Sequence, residues 1–239
     1  MLSVYRGDGM PRISRIVGVG LPHHVTQRGN YGAQVFETDA DRGYYLNLVS
    51  RSASLNGLSI LSYCLMPNHV HFVVVPGRED SMALAFRTAH MRYAQYVNWK
   101  RNLRGHLWQG RFYSCLMDPR HLLAAARYVE LNPVRAGISK TAGGWEWSSA
   151  PNHMGIKPDN FGFDLDGLWA MIPDLKTEWR EYLAGCEDAS VIGAIRTNTA
   201  TGRPIGAEAF IKMMEKRLGR RLFPLKVGRP GLLELSRIN

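Results

Sequence analysis

The chain has too little cysteine to be held together by disulfides. Cys64, Cys115 and Cys186 are the three present in 239 residues, and no two form a Cys-x-x-Cys pair. Neither a disulfide framework nor a zinc knuckle is indicated, and a reducing cytoplasm suits the pattern. All three read as plain buried residues. No apolar run reaches the roughly 18 residues that a membrane span needs. The opening "MLSVYRGDGMPRISRIVGVGLP" lacks the continuous apolar stretch of a signal peptide. Internal repeats and low-complexity segments are also missing, which excludes solenoid arrays and tail-like proteins.

Acidic charge is the scarcer sign. Asp and Glu number 20 against 30 Lys and Arg, for a net charge of +10. A globular chain this basic points to a polyanion, above all nucleic acid. The charge is uneven. Residues 1–155 carry 17 basic and 9 acidic side chains, residues 156–195 carry 3 and 8, and residues 196–239 carry 10 and 3. A basic body and a basic tail therefore flank an acidic segment.

What is present reads as an alternation of strands and helices. "HVTQ" at 24–27 is β-like and ends in the turn signal Gly29-Asn30. A helix follows over "DADRGYYLNLVSRSASLNG", with Asp39 as N-cap and Gly57 closing it. "LSILSYCLMP" and "HVHFVVV" are two strands joined at Pro67-Asn68. "SMALAFRTAHMRYAQYVNWKRN" is a second helix with an apolar stripe through Leu84, Met91, Tyr93 and Val97. "HLWQGRFYSCLM" reads as a strand kinked at Gly110. A third helix runs over "DPRHLLAAARYVELNPVRAG", capped by Asp118 and ended by Pro133 and Gly137. The order β-α-β-β-α-β and then a helix predicts an α+β fold, a ferredoxin-like antiparallel sheet with helices packed on it. The expected organisation is a catalytic domain over 1–150, a linker over 151–165 and a helical extension over 166–239. That extension holds helices near 175–185 and 206–218 and a basic, DNA-binding tail too polar to be core.

Two features carry chemistry. His69 and His71 lie at i and i+2 of a strand, so both imidazoles share one face and can converge on an ion. Val70 points the other way. The pair alone also fits two structural histidines at a strand edge. On the third helix Tyr128 and Asn132 stand four apart, one above the other. Taken alone they fit an amphipathic core tyrosine and an Asn near a frayed last turn before Pro133. Taken together they suit phosphodiester attack. A divalent ion on His69, His71 and Asn132 neutralises phosphate charge, and Tyr128 forms a covalent phosphotyrosine.

At these residues the sequence resembles a known family. "YCLMPNHVHFVV", "LWQGRFYS" and "YVELNPVRAG", with "HHVTQRGN" before and "WEWSSA" after, are similar to the marks of the REP-associated tyrosine transposases. These are single-tyrosine members of the HUH endonuclease group. The resemblance spans roughly residues 10–150, and "TGRPIGAEAFIKMMEKRLGRRL" is similar to their C-terminal extension. It implies a ferredoxin-like catalytic fold, a Mg²⁺ or Mn²⁺ cofactor, and single-stranded DNA carrying palindromic hairpins as partner. It also implies cleavage and rejoining through a 5′-phosphotyrosine. By motif, Tyr128 matches the nucleophile, and His69, His71 and Asn132 match the metal ligands.

The DNA-contact candidates are Arg28, Trp108, Arg111, Arg120, Arg127, Arg217, Arg220, Arg221, Lys226 and Arg229, with stacking and phosphate contact as their roles. His23, His24 and Thr26 flank the site as structural or DNA-contacting residues. The implied location is the bacterial cytoplasm, at the nucleoid, as a monomer or homodimer. A DNA-hairpin-binding regulator with idle chemistry, and a metal-dependent hydrolase that activates water, are the competing readings.

Overall fold

Alternating β-branched and aromatic positions build four strands. They are β1 (His23–Arg28), β2 (Leu58–Met66), β3 (His69–Pro76) and β4 (Tyr113–Leu116). The structure, a computed structural model, describes residues 14–224. The strands form one sheet in the order β2-β3-β1-β4, each neighbour antiparallel. This is the ferredoxin-like α+β arrangement expected from the element order.

One face is covered by α1 (Asp39–Leu55) and α2 (Ser81–Lys100). Thr38, not Asp39, caps α1. Its hydroxyl accepts the Asp41 N–H and the Asp41 carboxylate accepts the Thr38 N–H, a reciprocal capping box. Asp39 becomes the first helical residue, where its charge still suits the helix N-terminus. In α2 the buried stripe is Met82, Ala85, Phe86, Ala89, Tyr93 and Val97. Leu84 is half-buried, and Met91 faces water at 53% exposure. The anchors are Phe86 and Tyr93, seven apart. Met91 lies five residues past Phe86, about 140° round the helix. Val70, Phe72 and Val74 of β3 join Phe36, Tyr45, Phe86, Tyr93 and Trp108 in this core.

The strand expected over 106–117 is continuous only at 113–116, with single bridges from Trp108 to Gly29 and from Met117 to Ile205. The indole of Trp108 drops into the aromatic core and donates to the His90 carbonyl at 3.1 Å, and the chain leaves the sheet after Gln109, whose N–H donates to the Arg28 carbonyl. Gly110, at φ 105°, turns it back. At the end of β1, a Cβ on Gly29 would sit 2.2 Å from the Ala33 carbonyl oxygen, so that turn accepts glycine alone.

The other face carries α3 (Leu122–Glu130), α4 (Asn132–Arg135), α5 (Ala150–His153), α6 (Gly167–Met171), α7 (Trp179–Ala184) and α8 (Ala189–Thr201), and α9 (Glu208–Leu218) follows. Asp118 caps the short turn ahead of α3 through the Arg120 N–H, with Pro119 at its first position. One core cluster joins Leu61, Cys64 and Val73 of the sheet to Ala125 and Val129 of α3. The same cluster takes in Trp169, Trp179, Leu183 and Ile195 from the extension. The stretch 151–165 is packed on the body: His153 is buried, Leu165 enters the α1/α2 core, and Phe161 and Phe163 lie against it. α7 and α9 stand where helices are expected. α8 stands where none is expected, between the Asp188 cap and Gly202 at φ 74°.

Within the basic tail, Leu222 is buried with Phe210 and Met214. The Glu215 carboxylate accepts the Leu222 and Phe223 N–H groups, and Arg220 donates to Ser14. Capping of its polar backbone by Glu215 is what lets this charged stretch contribute to a core. Cys186 is exposed, unlike Cys64 and Cys115, because it lies in the α7–α8 loop. Among the described residues, no helix is long and apolar enough to cross a membrane.

Candidate active site on the histidine face

The period of a strand sends His69, His71 and Val73 away from the aromatic core. The rings of His69 and His71 meet edge to face at 4.9 Å between centroids. The Nδ1 of His69 lies 2.6 Å from the Asn68 side-chain oxygen, whose amide nitrogen donates to the Gly32 carbonyl. An amide oxygen only accepts. The proton of His69 therefore sits on Nδ1, and Nε2 is left with its lone pair. Burial lowers the His69 pKa to about 4, with the nearby Arg28 charge acting in the same direction. Burial, aided by His69, His24 and the Arg135 and Arg196 charges, holds His71 well below its ordinary value. Both imidazoles are neutral near pH 7, the form that binds metals.

α3 delivers Tyr128 to the same face. The residue is 5% exposed. Its ring stands nearly perpendicular to His71 at 5.7 Å and to His24 at 5.5 Å. Behind it, Arg135 lies 4.4 Å over the ring and donates to the Tyr128 carbonyl. Glu187, from the α7–α8 loop, holds Arg135 by two contacts of 2.7 and 2.8 Å. Arg196 of α8 adds a second cation 5.9 Å from the ring. Asn132 is buried at the start of α4 rather than frayed, because Pro133 suits the first turn of a new helix. Its side-chain nitrogen donates to the Tyr128 and Val129 carbonyls, so its oxygen is the atom left for a ligand.

His24 completes the group. It neighbours His71 diagonally across the β1–β3 pair. Its Nε2 lies 2.9 Å from His71 Nδ1, and its Nδ1 lies 2.7 Å from the Thr199 hydroxyl of α8. Burial, with Arg135 nearby, lowers the His24 pKa to about 3. Among the described residues no cluster of three or more His, Cys, Asp or Glu is arranged to hold a metal. The geometry agrees: His24 is turned into His71, so an ion here has two imidazoles and must take its other donors elsewhere. Of the flanking residues, His23 is structural, contacting the Gly18 N–H and the Leu21 carbonyl. Thr26 bonds the Val70 carbonyl.

Arg127 and Trp108 do not fit the roles expected of them in DNA contact. Arg127 is buried, 4.4 Å over the Tyr182 ring, and donates to the Gly185 carbonyl. Trp108 is committed to the aromatic core. Arg220 is taken up by Ser14. Arg28, Arg111, Arg120, Arg217 and Arg221 are on the surface. Lys226 and Arg229 lie outside the described residues. Thr199, Arg135, Arg196 and Glu187 were not singled out from the sequence. Asp188 and Gly202, a cap and a stop, were the signals that would have disclosed α8.

Residues 19–132 match the family described as IS200-like transposases. The matched span, a little under half of the chain, takes in both histidines, Tyr128 and Asn132. In fold it is similar to a REP-associated tyrosine transposase. A solved structure of such a protein bound to a REP hairpin superimposes with a TM-score of 0.53 at 17% identity, over 65% of this chain and 93% of that one, and shares the fold. A second solved structure, from Deinococcus radiodurans R1, aligns over 54% of this chain and 94% of that one at 18% identity. Its TM-score is 0.35, too loose to bear on the fold. No curated protein matches the sequence.

Proposed function

We propose that this transposase-family protein cleaves and rejoins single-stranded DNA bearing palindromic hairpins, with Tyr128 as nucleophile. The observation that carries the reading is the convergence of Tyr128 with His69 and His71 on one sheet face, from segments some sixty residues apart. Attack of the Tyr128 oxygen on phosphorus forms a 5′-phosphotyrosine and releases a 3′-hydroxyl. Attack by a 3′-hydroxyl on that linkage restores the strand.

The donor set fits a divalent ion such as Mg²⁺ or Mn²⁺. His69 offers a lone pair on Nε2, His71 is neutral and beside it, and the Asn132 side-chain oxygen, one helical turn past Tyr128 and left without a bond by its amide nitrogen's contacts, would be the third ligand. When bound, the ion supplies charge neutralisation at the scissile phosphate. The protein's own residues hold the rest of the geometry. Arg135 fixes the plane of the Tyr128 ring, and Glu187 fixes Arg135. The aromatic core behind β3 keeps the histidine strand rigid. The surface arginines Arg28, Arg111, Arg120, Arg217 and Arg221 suit a phosphate backbone. The hairpin bound by the REP-associated relative supports the substrate class, and bacterial cytoplasm at the nucleoid is the matching location.

The test is incubation with labelled single-stranded hairpin DNA and Mn²⁺, read on a denaturing gel. A covalent protein–DNA adduct is expected, and Tyr128→Phe removes it while hairpin binding persists. Cleavage that survives Tyr128→Phe identifies a water-activating hydrolase instead. Hairpin binding unaffected by chelator, without cleavage, identifies a regulator.

A further inference from the structure

The histidine face contains a chain of contacts that the proposed reaction does not use. It runs from His71 Nδ1 to His24 Nε2 at 2.9 Å, and from His24 Nδ1 to Thr199 Oγ1 at 2.7 Å. All three residues are buried, and the two rings lie nearly parallel, 12° apart. We propose that His24 and Thr199 are positioning residues that set the tautomer of His71, so that the C-terminal extension decides whether that imidazole can take a metal ion. The inference rests on the metal-site reading above.

Each ring is neutral and carries one N–H, and two directions satisfy the chain. In one, His71 donates from Nδ1 to His24, and His24 donates from Nδ1 to the Thr199 oxygen. His71 Nε2 then bears a lone pair, on the ring atom away from His24. In the other, Thr199 donates to His24, His24 donates from Nε2 to His71, and the His71 proton moves to Nε2, where it blocks a ligand. Only a group able to accept at the far end supports the first direction. The threonine hydroxyl is such a group, and it reaches the site because α8 packs along β4 and β1. Its placement is pinned past the helix end, where the Ile205 N–H donates to the Leu116 carbonyl and the Asp118 N–H to the Ile205 carbonyl. His69 receives the corresponding help from Asn68, within its own turn. His71 receives it from 128 residues away. Hydrogen bonds of this kind, from a ligand's second nitrogen, commonly carry about 10- to 100-fold in metal affinity.

The experiment uses the full chain, metal-free, in two parts. Two-bond ¹⁵N–¹H spectra of the imidazoles read the tautomers directly. The wild type is expected to carry the His71 proton on Nδ1, and Thr199→Val to move it to Nε2. Titration with Mn²⁺, followed by the loss of the free-ion EPR signal, reads affinity. Thr199→Val is expected to weaken it about 10-fold, Thr199→Ser to restore it, and Thr201→Val, on the outer part of the same helix, to change nothing. An Nε2–H His71 in the wild type overturns the proposal outright, as does a folded Thr199→Val with unaltered tautomer and Mn²⁺ affinity. A wild type that binds no Mn²⁺ overturns the metal-site reading and this inference with it, whereas loss of the positioning effect alone leaves that reading standing. Should Thr199→Val not fold, the wild-type tautomer and Thr199→Ser still decide.

Discussion

The two faces of the sheet are made from the same strands and differ in almost every other respect. Toward α1 and α2, Phe36, Tyr45, Phe72, Phe86, Tyr93 and Trp108 form an aromatic core in which the buried polar groups, His90 among them, bond within the core. Toward α3 and α8, the sheet presents His24, His69 and His71 against a tyrosine, two arginines and a threonine. The first face is closed by helices that sit between the strands in sequence. The second is closed by segments that arrive after the sheet is complete. The two faces are thus separated by one peptide unit: Phe72 anchors the strand in the aromatic core, and His71 beside it faces Tyr128.

That contrast is broken most directly at those two neighbours. Phe72→Ala is expected to lower stability by about 3–5 kcal/mol, the cost of emptying a fully buried aromatic site, while the molecules that remain folded still cut DNA. His71→Gln is expected to abolish metal-dependent cleavage with a far smaller change in the urea midpoint. Equal damage to both readouts by both variants would show that the faces are not separable. Next in size is acid. His23 and His69 are held at about 4 and His24 and His90 at about 3, all chiefly by burial, against about 6.5 in an unfolded chain. As pH falls from 6.5 toward 4, the unfolded chain takes protons that the native one refuses, so stability is lost in that window. Each histidine contributes up to about 1.4 kcal/mol per pH unit. Urea midpoints measured from pH 7.5 to 5 should drop steadily below 6.5, and a flat profile would contradict it.

A smaller effect is expected at Glu130, which is fully buried on α3 two residues from Tyr128 and bonded to partners other than His24, His69 and His71. It accepts from His153, Ser149 and the Trp179 indole. Glu130→Gln replaces an acceptor oxygen with a donor and is expected to cost about 1–3 kcal/mol, measured by urea denaturation. It should leave Mn²⁺ affinity unaltered, since its hydrogen bonds go to Ser62, Ser149, His153 and Trp179 and not to His69 or His71. Smallest is Arg111→Ala on the surface. It should barely alter stability and should reduce the salt slope of hairpin binding by about one, read from affinities at several salt concentrations.

The aromatic face could be read from the chain because its signals are local. The apolar strand 70–75 and the existence of α2 each lie within one element, and the His-x-His pair follows from the strand's period of two, although of the expected α2 stripe only Tyr93 and Val97 are buried while Leu84 and Met91 are not. Asp118 and Pro119 announced α3 through short-range capping chemistry. One error is local, and the others arise where contacts are distant. Asp39 lost the cap to Thr38 because a reciprocal pair with Asp41 satisfies two N–H groups rather than one. Trp108 and Arg127 looked like DNA contacts by composition, yet a tertiary pocket claims each. α8 has the sequence "ASVIGAIRTNTAT", with Val, Ile, Thr and Asn but little amphipathic order, and its helicity comes from packing rather than propensity. Thr199 and His24 are 175 residues apart, and no spacing rule connects them.

The late arrival of α8 also has a consequence in time. Leu116 ends the sheet, and Thr199 is added to the growing chain 83 residues later. At ribosomal rates of about 5–20 residues per second, that interval is roughly 4–17 s. During it the four strands and the aromatic core can already be assembled while His24 has no hydroxyl beside it and Tyr128 lacks Glu187 and Arg196 behind it. A nascent chain therefore passes through a stage with a folded scaffold and an unfinished histidine face. The histidine face is completed only once α8 has left the ribosome.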